Sequence, residues 1–218
     1  MNNIIKVIKI LEEKQKNLRR TTLNREAKDT KHFTPFQTLI SCLISLRVKD
    51  ETTEKIVSKL FSVVKTPEEF VKIPTKKLEK LIYSSGYYKN KAKVIKKISK
   101  DIIGKYNGKV PDTEEELMKL YGVGRKTCNI VLSFAYGKNV ITVDTNVHRV
   151  VNRLGLVKTN AFEKTEKELE KIIPEKYWRE INGIFILFGK RICVPISPKC
   201  SICPISKYCK RIGIKRSR

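Results

Sequence analysis

Apolar residues recur at helical spacing along most of the chain, and convincing alternation of period two is absent. The clearest stripes are Ile4, Ile5, Ile8 and Leu11; Phe36, Leu39, Ile40, Leu43 and Ile44; and Ala92, Ile95, Ile98 and Ile102. Val140–Val143 is the only strand-like stretch. This spacing predicts an all-α protein with short loops.

Three threonines carry the signals of helix starts. Each has Gln or Glu three residues later, the pattern of a capping box. They are Thr34 with Gln37, Thr66 with Glu69, and Thr113 with Glu116. Pro35 and Pro67 stand at the first helical position, where proline is favoured. Gly104 is predicted to end the stripe of Ala92–Ile102.

The charge of the chain narrows the classes of partner. Its 218 residues include 47 Lys and Arg against 22 Asp and Glu, a net charge of +25. Ser84–Lys109 holds eight lysines and a single acid, and no acid follows Glu180. Such segregated charge favours a polyanion, nucleic acid ahead of an anionic membrane or the ribosome. Apolar runs are far short of a membrane span, and Met1–Glu13 lacks the pattern of a secretory signal.

Six cysteines occur, and four of them are clustered. Cys42 and Cys128 lie in apolar helical stripes and are interpreted as core residues. The other four have the spacing C-x6-C-x2-C-x5-C; they are Cys193, Cys200, Cys203 and Cys209. An iron–sulfur cluster suits the wide outer spacers, while structural zinc favours paired short spacers. Zinc and disulfides remain open at this point.

A glycine-containing hairpin is predicted at Leu120–Thr127, between two helical stripes. Two glycines two residues apart permit a tight turn with an exposed backbone. The following helix then presents its free N–H groups outward, as an anion site. In a basic all-α protein this indicates a helix-hairpin-helix that grips the DNA backbone without reading sequence. The expected DNA-contacting residues are Gly122, Val123, Gly124, Arg125 and Thr127.

Lys126 and Asp144 each have two interpretations. Lys126 falls in the first turn of the second helix of the hairpin. It is either a phosphate-binding lysine, or an amine that the helix dipole and partial burial leave partly neutral and nucleophilic. Asp144 is either an ordinary helix N-cap or a carboxylate that faces Lys126 across a cleft.

The motifs together resemble one known family. Leu120–Thr127, then Val143-Asp144-Thr145, then the four-cysteine tail are similar to endonuclease III, within the helix-hairpin-helix DNA glycosylase superfamily. Pro35-Phe36 and Gly86-Tyr87 extend the similarity over nearly the whole chain. The resemblance implies that the four cysteines hold a 4Fe–4S cluster.

The resemblance also implies two helical domains. A six-helix barrel containing the helix-hairpin-helix is expected at residues 28–138. A terminal helical domain with the cluster loop is expected from residues 1–27 and 139–218. The active cleft would lie between them, where Lys126 and Asp144 meet.

The implied activity is that of a bifunctional DNA glycosylase and AP lyase in base excision repair. Lys126 would attack the sugar and displace an oxidised pyrimidine, and Asp144 would support the charge that develops. The implied partner is duplex DNA with damaged or abasic nucleotides, and the protein is expected to be a DNA-associated intracellular monomer. Two alternatives are a monofunctional mismatch glycosylase and a non-catalytic iron–sulfur protein that binds DNA.

Three positions depart from the family's pattern. Arg47 stands where Gln is common, Tyr87 where Leu is common, and Asn146 where His is common. Arg47 and Tyr87 are expected to bind DNA by filling the gap that a flipped nucleotide leaves. These departures leave the lesion range and the opposite-base preference open.

Overall fold

The computed structural model describes residues 3–15 and 33–218, and these residues contain eleven α-helices and no strand. The all-α prediction is therefore confirmed. The helices are α1 (Asn3–Gln15), α2 (Pro35–Ser45), α3 (Asp50–Phe61), α4 (Pro67–Lys72), α5 (Thr75–Leu81), α6 (Tyr88–Tyr106), α7 (Glu114–Lys119), α8 (Arg125–Tyr136), α9 (Thr145–Leu154), α10 (Phe162–Ile172) and α11 (Trp178–Arg191). Short 3-10 turns lie at Tyr83–Ser85, Glu175–Tyr177, Cys200–Ile202 and Ser206–Tyr208.

The described residues fall into two compact units. The central unit is the described part of residues 22–138, and the terminal unit joins the described part of residues 1–21 to Asn139–Arg218. The boundary that the resemblance implies between residues 27 and 28 lies outside the described residues. A six-helix barrel was expected for the central unit, and its described residues form seven α-helices. Two of these, α4 and α5, are short and are separated at Pro74.

The predicted helix starts have clear causes in the central unit. Thr34 and Thr66 each form a complete capping box with Gln37 and Glu69, and a proline occupies the first turn in both cases. Thr113 accepts a hydrogen bond from the Glu116 amide, but the Glu116 carboxylate does not reach back. The Glu116 carboxylate accepts a hydrogen bond from the Tyr106 hydroxyl instead, at 2.7 Å, so this capping box is only half formed.

The core of the central unit forms around α2. The predicted stripe Phe36–Ile44 is buried, and α2 packs against α3, α6 and α8. Phe36 also meets Phe70 of α4 edge to face, with ring centroids 5.4 Å apart. Burying side chains of this size stabilises the fold by about 1.5–3 kcal/mol each.

The predicted end of α6 at Gly104 is wrong. The helix continues to Tyr106 and ends at Asn107, which adopts a left-handed φ of 52°. The Gly108 amide then donates to the Ile102 carbonyl, at 3.0 Å. Gly104 is exposed within the last turns, where a helical glycine costs about 1 kcal/mol and does not stop the helix.

The terminal unit packs α1 against the last third of the chain. Ile4, Val7, Ile8 and Leu11 of α1 are buried, and α1 contacts α11. Gln15 Nε2 donates to the Ile184 carbonyl, at 3.1 Å. Ile141 and Val143, from the strand-like stretch Val140–Val143, belong to the same core, but the stretch itself is not a strand. Among the helices described, none combines the length and the apolar character that crossing a membrane requires.

Candidate functional site

The predicted hairpin lies between α7 and α8, and its two glycines have different roles. Gly122 has φ of 80°, and a Cβ there would lie 2.9 Å from Val94 Cγ1. Gly124 has an ordinary φ of −101° and is the N-cap of α8. No side chain caps this helix start, and a Cβ on Gly124 would meet nothing within 4 Å. The space around Gly124, beside the first turn of α8, is therefore open.

The side chains of the hairpin are less available than its backbone. Val123 and Thr127 are buried, so their side chains belong to the core. Arg125 forms an ion pair with Glu114, which ties the two helices of the hairpin together. Tyr121 is exposed, and Lys97 Nζ lies 4.2 Å from its ring centroid. The DNA contacts predicted at Val123 and Thr127 would therefore be made by the main chain.

Lys126 lies in the first turn of α8 and is exposed. The sequence analysis named two features expected at Lys126, a position at the positive end of a helix dipole and partial burial. The structure has the first of these. The expected partial burial is not present. Lys126 belongs to the central unit and Asp144 to the terminal unit, so their meeting in a cleft stays a prediction.

Asp144 is the buried N-cap of α9. Its Oδ1 accepts from the amides of Asn146 and Val147, both at 2.8 Å. Its Oδ2 accepts from Asn146 Nδ2, at 3.0 Å. These three donors fix the orientation of the carboxylate, and within the described residues Oδ2 accepts this one bond. A lone pair on Oδ2 therefore remains for another donor.

Arg149 extends this network toward the cysteine tail, a link that the sequence analysis did not find. Its Nη2 donates to Asn146 Oδ1, at 2.9 Å, and to the Gly189 carbonyl, at 3.0 Å. Its Nε donates to the Cys193 carbonyl, at 3.1 Å. The separation of three residues between Asn146 and Arg149 on a helix was the available signal.

Arg47 and Tyr87 come together in the central unit. Both are exposed, and the Arg47 guanidinium carbon lies 5.8 Å from the Tyr87 ring centroid. Their backbones are left-handed, with φ of 59° and 49°. This conformation costs a residue with a Cβ roughly 1–2 kcal/mol. Strained residues of this kind concentrate at functional sites.

Lys91 lies beneath these two loops and was also missed from the sequence. The side chain is buried, and its Nζ donates to the carbonyls of Ile44, Leu46 and Ser85, at 2.8, 2.9 and 2.8 Å. Burial lowers the pKa of Lys91 to about 8. The signal was a lysine in register with the buried stripe of α6, four residues before Ile95.

The four clustered cysteines line one cavity in the terminal unit. Its walls are otherwise mainly apolar; they include Val150, Leu154, Phe188, Ile192, Ile205 and Ile214. All four thiols are free, so no disulfide joins them. The Arg211 amide donates to Cys209 Sγ, at 3.4 Å, and Arg153 Nη1 to Cys193 Sγ, at 3.6 Å.

The donor set of this cavity fits an iron–sulfur cluster. Four thiols converge on one mainly apolar space, and N–H groups point at two of the sulfurs. Such hydrogen bonds and apolar surroundings tune a cluster. The described residues contain no group of three or more His, Cys, Asp or Glu arranged to hold a single metal ion. Burial raises the pKa of the Cys203 and Cys209 thiols, so iron binding must displace protons there.

Comparison with known proteins gives the class. The family described as HhH-GPD superfamily base excision DNA repair protein matches residues 40–175, which include the hairpin, Lys126 and Asp144. The iron-sulfur binding domain of endonuclease III matches residues 193–209. Fold and site thus define a base excision DNA repair protein of the helix-hairpin-helix class. The chain belongs, within that class, to the endonuclease III family.

Individual relatives cover most of both chains. Endonuclease III of Thermotoga maritima is 47% identical, over 88% of this chain and 91% of its own. A structure of a non-covalent endonuclease III–DNA complex has a TM-score of 0.85 and 37% identity, covering 95% of this chain and 94% of that chain. A structure of a trapped endonuclease III–DNA covalent intermediate has a TM-score of 0.78 and 40% identity, covering 87% and 92%.

Membership in the family confirms three predictions. The chain is a base excision repair enzyme, a DNA glycosylase with AP lyase activity. Its cofactor is a 4Fe–4S cluster, and the residues that would hold it are the four cysteines of the cavity. Its partner is DNA.

The cluster gives a first testable prediction. The Cys203→Ser variant, which removes one of four thiolate ligands, is expected to lose most of its iron and its visible absorption. Iron content per chain and absorption after anaerobic purification measure this against about four irons in the parent protein. Cys42→Ala removes a buried thiol outside the tail and is expected to keep the iron. Stoichiometric zinc in place of iron in the parent protein would contradict the assignment.

The two hairpin glycines give a second prediction. Gly124→Ala is expected to keep its melting temperature but to lose DNA affinity several-fold, because the new methyl group lies where a phosphate must approach. Gly122→Ala is expected to lose stability as well, by at least the roughly 1–2 kcal/mol of a left-handed backbone. Melting curves and fluorescence anisotropy with duplex DNA measure both. The exposed helical Gly104→Ala is the control; unchanged affinity in Gly124→Ala would refute the assignment.

Proposed function

We propose that this chain removes oxidised or ring-saturated pyrimidines from duplex DNA, with Lys126 as the nucleophile and Asp144 as the supporting carboxylate. The observation that carries the proposal is the position of Lys126. It lies exposed in the first turn of a glycine-capped helix, beside backbone N–H groups suited to a phosphate. A relative 40% identical to this chain has been trapped as a covalent intermediate with DNA, which supports an amine nucleophile here.

The chemistry needs a base outside the stack and an amine in its neutral form. The damaged nucleotide is flipped out of the duplex. Lys126 Nζ then attacks C1′, the glycosidic bond breaks, and the base leaves with the bonding electrons and is protonated. The attached amine loses a proton, and its lone pair then expels O4′ from C1′. The sugar ring opens, O4′ takes up a proton, and a protonated Schiff base remains. Removal of a C2′ proton expels the 3′ phosphate and nicks the strand.

Asp144 suits the supporting role because its geometry is already fixed. Three N–H donors hold the carboxylate before any substrate binds. A charge oriented in advance stabilises the positive charge that develops on the sugar without reorganisation during the reaction. The lone pair left on Oδ2 offers a place for a proton or for the protonated amine.

Arg47 and Tyr87 suit the gap that the flipped nucleotide leaves. Tyr87 is 70% exposed and presents an aromatic face, and Arg47 carries a charge close to that face. An aromatic ring can stack on the exposed neighbouring bases, and the guanidinium can hydrogen-bond the unpaired partner base. We further propose that the enzyme acts as a monomer on the genome inside the cell, where damaged duplex DNA is found.

The nucleophile assignment predicts the behaviour of Lys126→Gln. The variant is expected to bind damaged duplex DNA nearly as well as the parent, because the hairpin backbone and many other cations remain. Borohydride trapping and strand nicking are expected to disappear. Lys97→Gln, which removes another exposed lysine at the hairpin, is the control and is expected to retain trapping. Full base excision by Lys126→Gln would favour a monofunctional glycosylase. A parent protein that binds DNA but neither excises nor traps would be a non-catalytic binder.

The role of Asp144 predicts a difference between two substrates. Asp144→Asn is expected to fold, because Asn also caps helices. Its excision rate on a damaged base is expected to fall by a few orders of magnitude, since a preorganised charge is worth several kcal/mol. On a pre-formed abasic site the loss is expected to be smaller, because Lys126 need only condense with an aldehyde. Single-turnover rates on both substrates measure this. Equal losses on both would contradict the role.

A further inference from the structure

We propose that Lys91 is a positioning residue, which holds the loops of Arg47 and Tyr87 in the arrangement that fills the gap beside a flipped nucleotide. This inference rests on the function proposed above for Arg47 and Tyr87. Lys91 is buried, and its ammonium hydrogen-bonds backbone carbonyls rather than the side chains of Arg47 and Tyr87. Its proposed effect on these two residues is therefore transmitted through the backbone.

The geometry of the Lys91 ammonium uses each of its three protons. Two go to the carbonyls of Ile44 and Leu46, at the end of α2, and the third goes to the Ser85 carbonyl, at the end of a 3-10 turn. The two loops are about forty residues apart in sequence, and one side chain ties them together. The three N–O distances, from 2.8 to 2.9 Å, are those of charge-assisted hydrogen bonds.

The two loops lead directly into the proposed gap-filling residues. Arg47 follows Leu46, and Tyr87 is separated from Ser85 only by Gly86. Both residues have a left-handed backbone, which persists where the surroundings determine it. Within the described residues, the buried contact between Lys91 and the neighbouring carbonyls supplies such a determinant directly below both loops.

The chemistry of the site requires a lysine. Only an ammonium group presents three donors from one atom, whereas the planar guanidinium of arginine presents a fork of different shape. Methionine keeps the length and apolar stem of Lys91 but has no donor. Glutamine keeps two donors on a shorter stem. Lys91→Met and Lys91→Gln therefore form a graded pair.

The experiment compares single-turnover excision of one oxidised pyrimidine in a stable base pair and in a mispair, together with nicking at a pre-formed abasic site. Lys91→Met is expected to lose at least tenfold on the paired lesion, and less than threefold on the abasic site. The reason is that gap filling offsets the cost of flipping, which is greatest for a well-paired base. Lys91→Gln is expected to fall between Lys91→Met and the parent.

The control is Lys96→Met. Lys96 lies on the same helix and donates to one carbonyl, that of Val71, at 3.0 Å, away from both loops. It is expected to change all three rates by less than twofold. If Lys91→Met slows the three reactions equally, Lys91 is merely structural and the proposal is overturned.

A double variant separates this inference from the function on which it rests. Tyr87→Ala alone is expected to show the same pattern, with a larger loss of rate on the paired lesion than on the abasic site. Adding Lys91→Met to Tyr87→Ala is then expected to cost less than Lys91→Met costs alone, because both act on one interaction. If Tyr87→Ala and Arg47→Ala show no such pattern, the gap-filling function fails. If they show it and Lys91→Met does not, only the inference fails.

A measurement on the parent protein covers the case in which the Lys91 variants do not fold. The Val48 amide bonds the Ser45 carbonyl, and the Lys91 amide bonds the Tyr87 carbonyl, so each reports on one loop. If one ammonium holds both loops, native-state hydrogen exchange of these two amides is expected to share one opening free energy in rising denaturant. Separate opening energies would overturn the inference.

Discussion

The candidate site is organised around a helix start that has no side-chain cap. Thr34, Thr66 and Thr113 cap the starts of α2, α4 and α7, whereas α8 begins at Gly124 without a side-chain cap, and the space around Gly124 is open. The left-handed turn at Gly122, packed against Val94, holds the backbone in this position. The first turn of α8 carries Lys126, at the positive end of the helix dipole. One local arrangement would thus serve both of the functions that we propose for it, phosphate binding and the supply of the nucleophilic amine.

In the terminal unit, the charged groups that stabilise the structure include the carboxylate that we propose for catalysis. Asp144 caps α9, and the donors that satisfy it as a cap also orient it as a carboxylate. Arg149 joins Asn146 to the Cys193 carbonyl, and Arg153 donates to the Val194 carbonyl and contacts Cys193 Sγ. Both arginines lie on the helix that Asp144 starts. The cluster loop and the proposed carboxylate are therefore both held by residues of α9.

The sequence was sufficient for features that local chemistry determines. Helical stripes, the capping boxes at Thr34 and Thr66, and the cysteine tail follow from spacing alone, and each is found in the structure. The sequence analysis failed at three residues, for reasons that differ. Gly104 does not end α6, because the helix end is set by Asn107 and Gly108. The role of Lys91 depends on carbonyls from two distant loops, and a lysine in a very basic chain gives little sign of burial. Partial burial of Lys126 was expected and is not found.

Several residues of the described chain have a left-handed backbone that is unfavourable for their residue type. Where α6 needs only a left-handed residue to end it, the chain uses Asn107, and α8 and α9 end at glycines. These residue types adopt that conformation at little cost. The other left-handed residues with side chains in the described chain are Arg47, Tyr87, Ser197 and Arg211. The first two form the proposed gap-filling pair, and the last two lie in or beside the cluster loop. Asparagine or glycine at these four positions would relieve strain. For Arg47 and Tyr87, the proposed gap filling would account for the side chains, and the Lys91 ammonium binds carbonyls of the loops that lead into both residues.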